Sequence, residues 1–290
     1  MNNYIKLLRP HQWAKQSIVF VPILSLGNSV TLASFLNGLA AVVTFTLIAS
    51  LVYGVNDFFD LEEDRVDLIR KHRPLAAGSI SQSNAKYLLI LLLGAGFSLN
   101  FLLSEKVFLT SSLLFFYLIL NFAYSRFHLK KHGVLGISIV AIGFPLRFAF
   151  GCLFANIQVS YWALLLLMEL SLFMLSVKRF QRSIRNSATI VSHTTYEPWL
   201  LSAIVFAAFF SASYVGFISA QATQRIWGAN YLLLSTVPMA IGIVRFLEIA
   251  THPKNWNSSD VTDSVFKDIP LVILVILYGC IMFIGSLTHA

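Results

Sequence analysis

Charge and cysteine are scarce in this sequence. Charged residues make up 12% of the 290 positions and hydrophobic ones 57%, where a soluble chain carries about 25% charge. That shortage excludes an ordinary water-soluble globule, whose exterior is built largely from the missing residues. The two cysteines, Cys152 and Cys280, both fall in apolar runs, which argues for inert buried thiols and against a disulfide framework or a thiolate metal site. Seven histidines are scattered from His11 to His289 without metal-ligand spacing. No cleavable leader is evident, because no small-residue cleavage site follows a charged start and a compact apolar core. Low-complexity tracts, obvious internal repeats and a separable soluble domain are also missing.

What the chain has instead is long apolar runs, with a mean hydropathy of +0.74. Nine of them approach the length needed to cross a hydrocarbon core of ~30 Å as helix. They lie near Ser17–Gly27, Leu32–Val55, Ala85–Leu103, Val107–Phe127, Val134–Phe154, Tyr161–Val177, Leu200–Ala220, Tyr231–Ile249 and Ile269–Leu287. The first is short, carries Pro22, and needs Trp13 and Lys15 at the interface to complete it. The bilayer offers backbone groups no water, so such a chain is an all-α, polytopic bundle; the runs are too long and too unalternating for a barrel. The expectation is a single transmembrane domain over residues 1–290.

Orientation follows from where the 21 Lys and Arg fall. Eighteen lie on one side of the spans so read, Lys106 and Arg225 on the other, and Arg147 inside a span. The positive-inside rule puts the N-terminus and the basic loops in the cytoplasm, and the basic balance is explained without nucleic acid.

The informative segment follows the second run. Six of the 13 acidic residues fall between positions 57 and 67: Asp57, Asp60, Glu62, Glu63, Asp64 and Asp67. If the helix continues through this stretch, Asn56, Asp60 and Asp64 recur every four residues on one face, with Asp57 beside them. Such a row repels itself and calls for a cation, and hard oxygen ligands with room for water describe a magnesium site that holds a substrate phosphate. An acidic run beyond a membrane helix is commonly a solvated patch. This one begins at the end of an apolar helix, where charge is expensive, and that favours a site. Downstream stand Arg65 and then Arg70-Lys71-His72-Arg73-Pro74, basic groups suited to the other oxygens of a diphosphate, or equally to the anionic leaflet.

Asn56-Asp57-x-x-Asp60-x-x-x-Asp64-Arg65, followed by Arg73-Pro74-x-Ala76-x-Gly78, resembles the first aspartate motif of the UbiA superfamily of intramembrane prenyltransferases. Leu8-Arg9-Pro10-His11-Gln12-Trp13, Asn121-x-x-Tyr124-Ser125, Lys130, Gly143-x-x-x-Arg147 with Gly151, Lys178-Arg179 and Tyr196-x-Pro198 are similar to the branch of decaprenyl-phosphate phosphoribosyltransferases. The resemblance implies a nine-helix bundle with its active site on the cytoplasmic side of the inner membrane. It implies magnesium, with Asn56, Asp57, Asp60 and Asp64 as the metal row and Asp60, Asp64 and Lys130 in the chemistry. Arg65, Lys71, Arg73, Tyr124, Arg147, Lys178 and Arg179 are then substrate contacts, Lys130 and Arg147 toward a lipid phosphate; a pairing of Arg147 with Glu169 is the alternative. The implied reaction moves a phosphoribosyl group from phosphoribosyl pyrophosphate to a polyprenyl phosphate for cell-wall assembly, and a homo-oligomer is compatible with it.

A prenyltransferase acting on an aromatic or quinone precursor is the rival reading. It would want a second carboxylate motif after the fourth span, and between Tyr124 and Arg147 there is no Asp or Glu. The chain departs from the family pattern at Gly136, at Arg182 and at Asp67-Leu68-Ile69.

Overall fold

The computed structural model describes residues 3–68, 70–129, 132–187, 197–252 and 268–289, those at 185–187, 197 and 289 for the backbone alone. Every regular element among them is helical. The chain forms two compact units, one of residues 1–23 and 30–159 and the other of residues 24–29 and 160–290.

The first unit opens with α1 (Asn3–Leu7), a 3-10 helix over Pro10–Gln16, and α2 (Ser17–Leu24). It continues through α3 (Leu32–Phe59), α4 (Leu61–Val66), α5 (Gln82–Leu103), α6 (Val107–Arg126) and α7 (Gly133–Phe154). Thr31 starts α3 with a reciprocal capping box to Ser34, and the Ser81 side chain caps α5 at the Asn84 amide. With 28 residues, α3 is about 42 Å long, some ~12 Å more than the hydrocarbon core. Its C-terminal turns carry the polar Asn56 and Asp57. Val19, Phe45, Ile48, Leu114, Tyr117, Phe150 and Phe154 form the core shared by α2, α3, α6 and α7. Gly151 is what lets α7 meet α2: a Cβ there would stand 2.0 Å from the Val19 carbonyl oxygen, so only a missing side chain admits the contact.

The second unit holds α8 (Tyr161–Ser187), α9 (Glu197–Ser219), the short α10 (Gln221–Trp227), α11 (Ala229–Thr251) and α12 (Ile269–His289). Phe173, Val177, Ala203, Phe246, Ile249 and Leu271 make its core. Within the unit Tyr214 and Ser235 share a hydrogen bond of 2.5 Å, and Ser213 donates to Glu169 Oε1 at 2.9 Å. Arg245 on α11 grips Asp268, at the start of α12, at 2.7 Å.

Seven helices among the described residues are long and apolar enough to cross a membrane: α3, α5, α6, α7, α9, α11 and α12. The other two runs read from sequence are also helical. The first becomes the eight-residue α2 behind the 3-10 turn, and the sixth becomes α8, which runs on into the polar stretch bearing Lys178, Arg179 and Arg182.

Candidate active site

The acid row lies within the first unit, where α3 gives way to α4. The helix does not run straight through, as the four-residue spacing alone predicts. It breaks at Asp60, whose φ of −91° and ψ of 3° close α3 and open α4. The spacing survives because Asp60 N still donates to Asn56 O (2.9 Å) and Asp64 N to Asp60 O (2.8 Å).

The four residues divide into two kinds. Asn56 and Asp60 are half-buried, and Asn56 Oδ1 accepts from Ser125 Oγ at the end of α6 (2.6 Å). Asp57 and Asp64 are buried and taken by arginines. Arg73 Nη1 donates to Asp64 Oδ2 at 2.6 Å and to Asp57 Oδ1 at 3.2 Å, bridging the two carboxylates. Arg9 also donates to Asp57 Oδ1. Arg70 Nη1 stands 3.3 Å from Asp64 Oδ1 without hydrogen-bond geometry, so that buried oxygen has no donor. Arg70 is itself fixed by Asp67, through its amide (2.8 Å) and its Nε (3.1 Å).

Arg9 is held in a costly way. It precedes Pro10, a position that disfavours helical backbone, and adopts left-handed angles of φ 51° and ψ 63°. Such a conformation costs on the order of 1–3 kcal/mol and persists only where surroundings enforce it. Here the Asp57 pairing and the Tyr53 ring, 5.6 Å from the guanidinium, do so. Near it, burial first and then the charges of Arg9, Lys15 and Arg73 hold the His11 imidazole below its ordinary pKa.

Arg147 occupies a different place, deep in the first unit at 5% exposure. Its Nε donates to Gln16 (2.9 Å) and its Nη2 to the Tyr117 hydroxyl (3.0 Å), while Nη1 reaches the carbonyl of Gly143. Phe45, Tyr117 and Phe144 lie 5.3–5.6 Å from the guanidinium carbon. It therefore ties α7 to α6 and to the 3-10 helix that follows Arg9.

The remaining residues singled out from sequence are placed as follows. Arg65 pairs with Glu62 on the surface of α4 (2.7 Å), and Lys71 is exposed on the following turn. Tyr124 is half-buried one residue before Ser125. Lys178 and Arg179 belong to α8 in the second unit, with Arg179 5.9 Å from the Trp199 ring. Lys130 lies outside the described residues. Arg9 and Ser125 are members of the cluster that the sequence marks only as parts of the Arg9-Pro10 and Tyr124-Ser125 motifs, whereas Arg70 belongs to the basic run already set beside the acid row. Nothing local marks Arg9 and Ser125, since each acts on a carboxylate or amide brought to it by folding, 48 and 69 residues away in sequence.

Magnesium fits the chemistry of the donor set. Asn56 and Asp60 offer half-buried oxygen atoms, and Asp64 Oδ1 is a buried carboxylate oxygen without a hydrogen-bond donor. Among the described residues, however, no three His, Cys, Asp or Glu side chains converge as a ready metal cage.

Matches to known proteins assign the family and the fold. Residues 18–254 match the UbiA prenyltransferase family, and the chain belongs to it. It is 31% identical over 253 residues to a decaprenyl-phosphate phosphoribosyltransferase of Corynebacterium glutamicum, covering 83% of this chain and 75% of the relative. With a decaprenyl-phosphate phosphoribosyltransferase of Mycobacterium tuberculosis it shares 29% over 258 residues, covering 83% and 81%. The structure of a UbiA homolog from Archaeoglobus fulgidus bound to DMAPP and Mg2+ superposes over all of both chains with a TM-score of 0.68 at 18% identity, which establishes the fold. The protein is thus an all-α, multi-span membrane transferase of the UbiA type.

Proposed function

We propose that the protein transfers a phosphoribosyl group from phosphoribosyl pyrophosphate to a polyprenyl phosphate, releasing diphosphate, with magnesium, at the cytoplasmic face of the inner membrane. The observation that carries the reading is the cluster of Arg9, Arg73 and Arg70 around Asp57 and Asp64 at the end of α3. It places guanidinium groups, which suit phosphate oxygens, against carboxylates and an amide that suit a hard cation. The named relatives, at about 30% identity over most of the chain, support the choice of donor and acceptor.

Asn56, Asp60 and Asp64 would hold the magnesium, which when bound neutralises charge on the diphosphate. Arg73 and Arg9 grip diphosphate oxygens and fix the donor's orientation. The lipid phosphate, already ionised near pH 7, attacks the anomeric carbon through one oxygen. The C–O bond to diphosphate breaks, and diphosphate leaves with the electron pair. Lys130 steadies the incoming phosphate, and no protein base is required because the nucleophile carries no proton to remove.

The test is to incubate membranes containing the protein with labelled phosphoribosyl pyrophosphate and decaprenyl phosphate, with and without magnesium. Labelled lipid that forms only with magnesium is the expected result. No labelled lipid under either condition, with reaction of a prenyl diphosphate and an aromatic acceptor instead, would favour prenyl transfer and overturn the reading.

A further inference from the structure

Exposure is unevenly shared in the cluster. The Asp57 and Asp64 side chains are 2% and 1% exposed, whereas those of Arg9, Arg73 and Arg70 are 20%, 28% and 39% exposed. The acids are buried on α3 and α4, and the arginines reach them on long stems that stay part-exposed. Asp57 Oδ1 takes both Arg9 and Arg73, Asp64 Oδ2 takes Arg73, and the buried Asp64 Oδ1 lacks a hydrogen bond.

A divalent cation arriving alone meets guanidinium charge where it needs carboxylate oxygen. A diphosphate arriving alone meets carboxylates where it needs arginine. Arriving together, each removes the obstacle to the other. We propose that Arg9 and Arg73 are exchangeable counter-ions of the Asp57–Asp64 pair. On loading, their guanidinium groups pass from the carboxylates to the diphosphate oxygens, and the negative charge they uncover on Asp57 and Asp64 would offset the cation held by Asn56, Asp60 and Asp64. Ion pairs are swapped, and no covalent bond or proton changes place. The exchange is how Arg9, 48 residues before Asp57 in sequence, comes free to take diphosphate oxygens. This rests on the reading above that a metal-bound diphosphate occupies the site. It has a thermodynamic consequence: cation and diphosphate must raise each other's affinity by the same factor.

Mn2+ uptake by the full-length protein in lipid nanodiscs, followed by electron paramagnetic resonance with and without inorganic diphosphate, tests this. Empty nanodiscs give the Mn2+–diphosphate background. Wild type is expected to bind Mn2+ at least tenfold more tightly with diphosphate than without. Arg73→Gln is expected to bind Mn2+ alone at least tenfold more tightly than wild type and diphosphate more weakly, with Arg9→Gln changing in the same directions. Arg73→Lys, which keeps a charge but cannot span two carboxylates, should fall between and serves if the glutamine variant does not fold. Equal Mn2+ affinity of wild type in both conditions, or no tightening in the Arg73 variants, would overturn the exchange. The assay uses neither ribose nor lipid acceptor. Coupled binding without phosphoribosyl transfer would therefore retire the proposed function and leave the exchange standing.

Discussion

Ser125 Oγ donates to Asn56 Oδ1 over 2.6 Å, joining the end of α6 to the end of α3 across 69 residues of sequence. The bond fixes which way the amide oxygen faces and leaves it a second lone pair for a cation. Partners that orient a metal ligand are typically worth about 10–100-fold in metal affinity. Ser125→Ala is therefore expected to raise the magnesium concentration needed for half-maximal activity by about tenfold, with little change at saturating magnesium. A magnesium titration of the initial rate reads this, and an unchanged midpoint would count against Asn56 as a ligand.

Arg73 answers to two acids at once. Replacing it with Met leaves Asp57 to Arg9 and Asp64 to the poorly aligned Arg70, so two buried carboxylates lose a donor together. The expected loss of stability is about 1–3 kcal/mol. Adding Asp64→Asn should restore part of it, because the neutral amide no longer needs the missing cation. Unfolding of the two single variants and the double variant in mixed micelles measures the coupling; strict additivity would show that the bridge contributes nothing.

Gly143 has no room for a side chain because the Arg147 guanidinium fills it. A Cβ at Gly143 would lie 2.9 Å from Arg147 Nη1, while one at Gly94 on α5 would meet nothing within 4 Å. Gly143→Ala should cost about 1–3 kcal/mol by forcing Arg147 off its partners, and Gly94→Ala should be neutral or slightly stabilising. Arg147→Lys should also destabilise, since a single ammonium cannot serve Gln16, Tyr117 and Gly143 as the planar fork does. Thermal unfolding of the three variants in detergent separates these outcomes.

In the second unit, the Asp268 carboxyl is held below the usual carboxylate range, first by its hydrogen bonds from Arg245 and further by the Leu271 amide. A carboxyl with a depressed folded-state pKa contributes stability above its unfolded value, near ~3.9, and loses it as pH falls through the folded value. Acid should therefore weaken the α11–α12 junction below about pH 4. Asp268→Asn should flatten that acid limb while lowering stability at pH 7, a difference visible in unfolding midpoints measured from pH 7 to pH 3.

Much of the molecule could be read along the chain. The apolar runs became α3, α5, α6, α7, α9, α11 and α12, and the acid row fell where the second run ends. Hydrophobic periodicity, length and charge asymmetry are local quantities, and in a bilayer they leave the backbone little choice but helix. The break at Asp60 was not legible, because continued i to i−4 bonding on both sides preserves the spacing that sequence shows.

Partnership was what the tertiary structure decided. The acids alone suggested a metal row, yet folding set Arg9 and Arg73 on Asp57, Ser125 on Asn56, and Gln16 and Tyr117 on Arg147. These pairs join positions 16 to 131 residues apart, and no periodicity encodes them. Sequence determined which charges are confined to the end of α3; only packing, by bringing three helix ends and an N-terminal turn together, determined which of those charges neutralise one another.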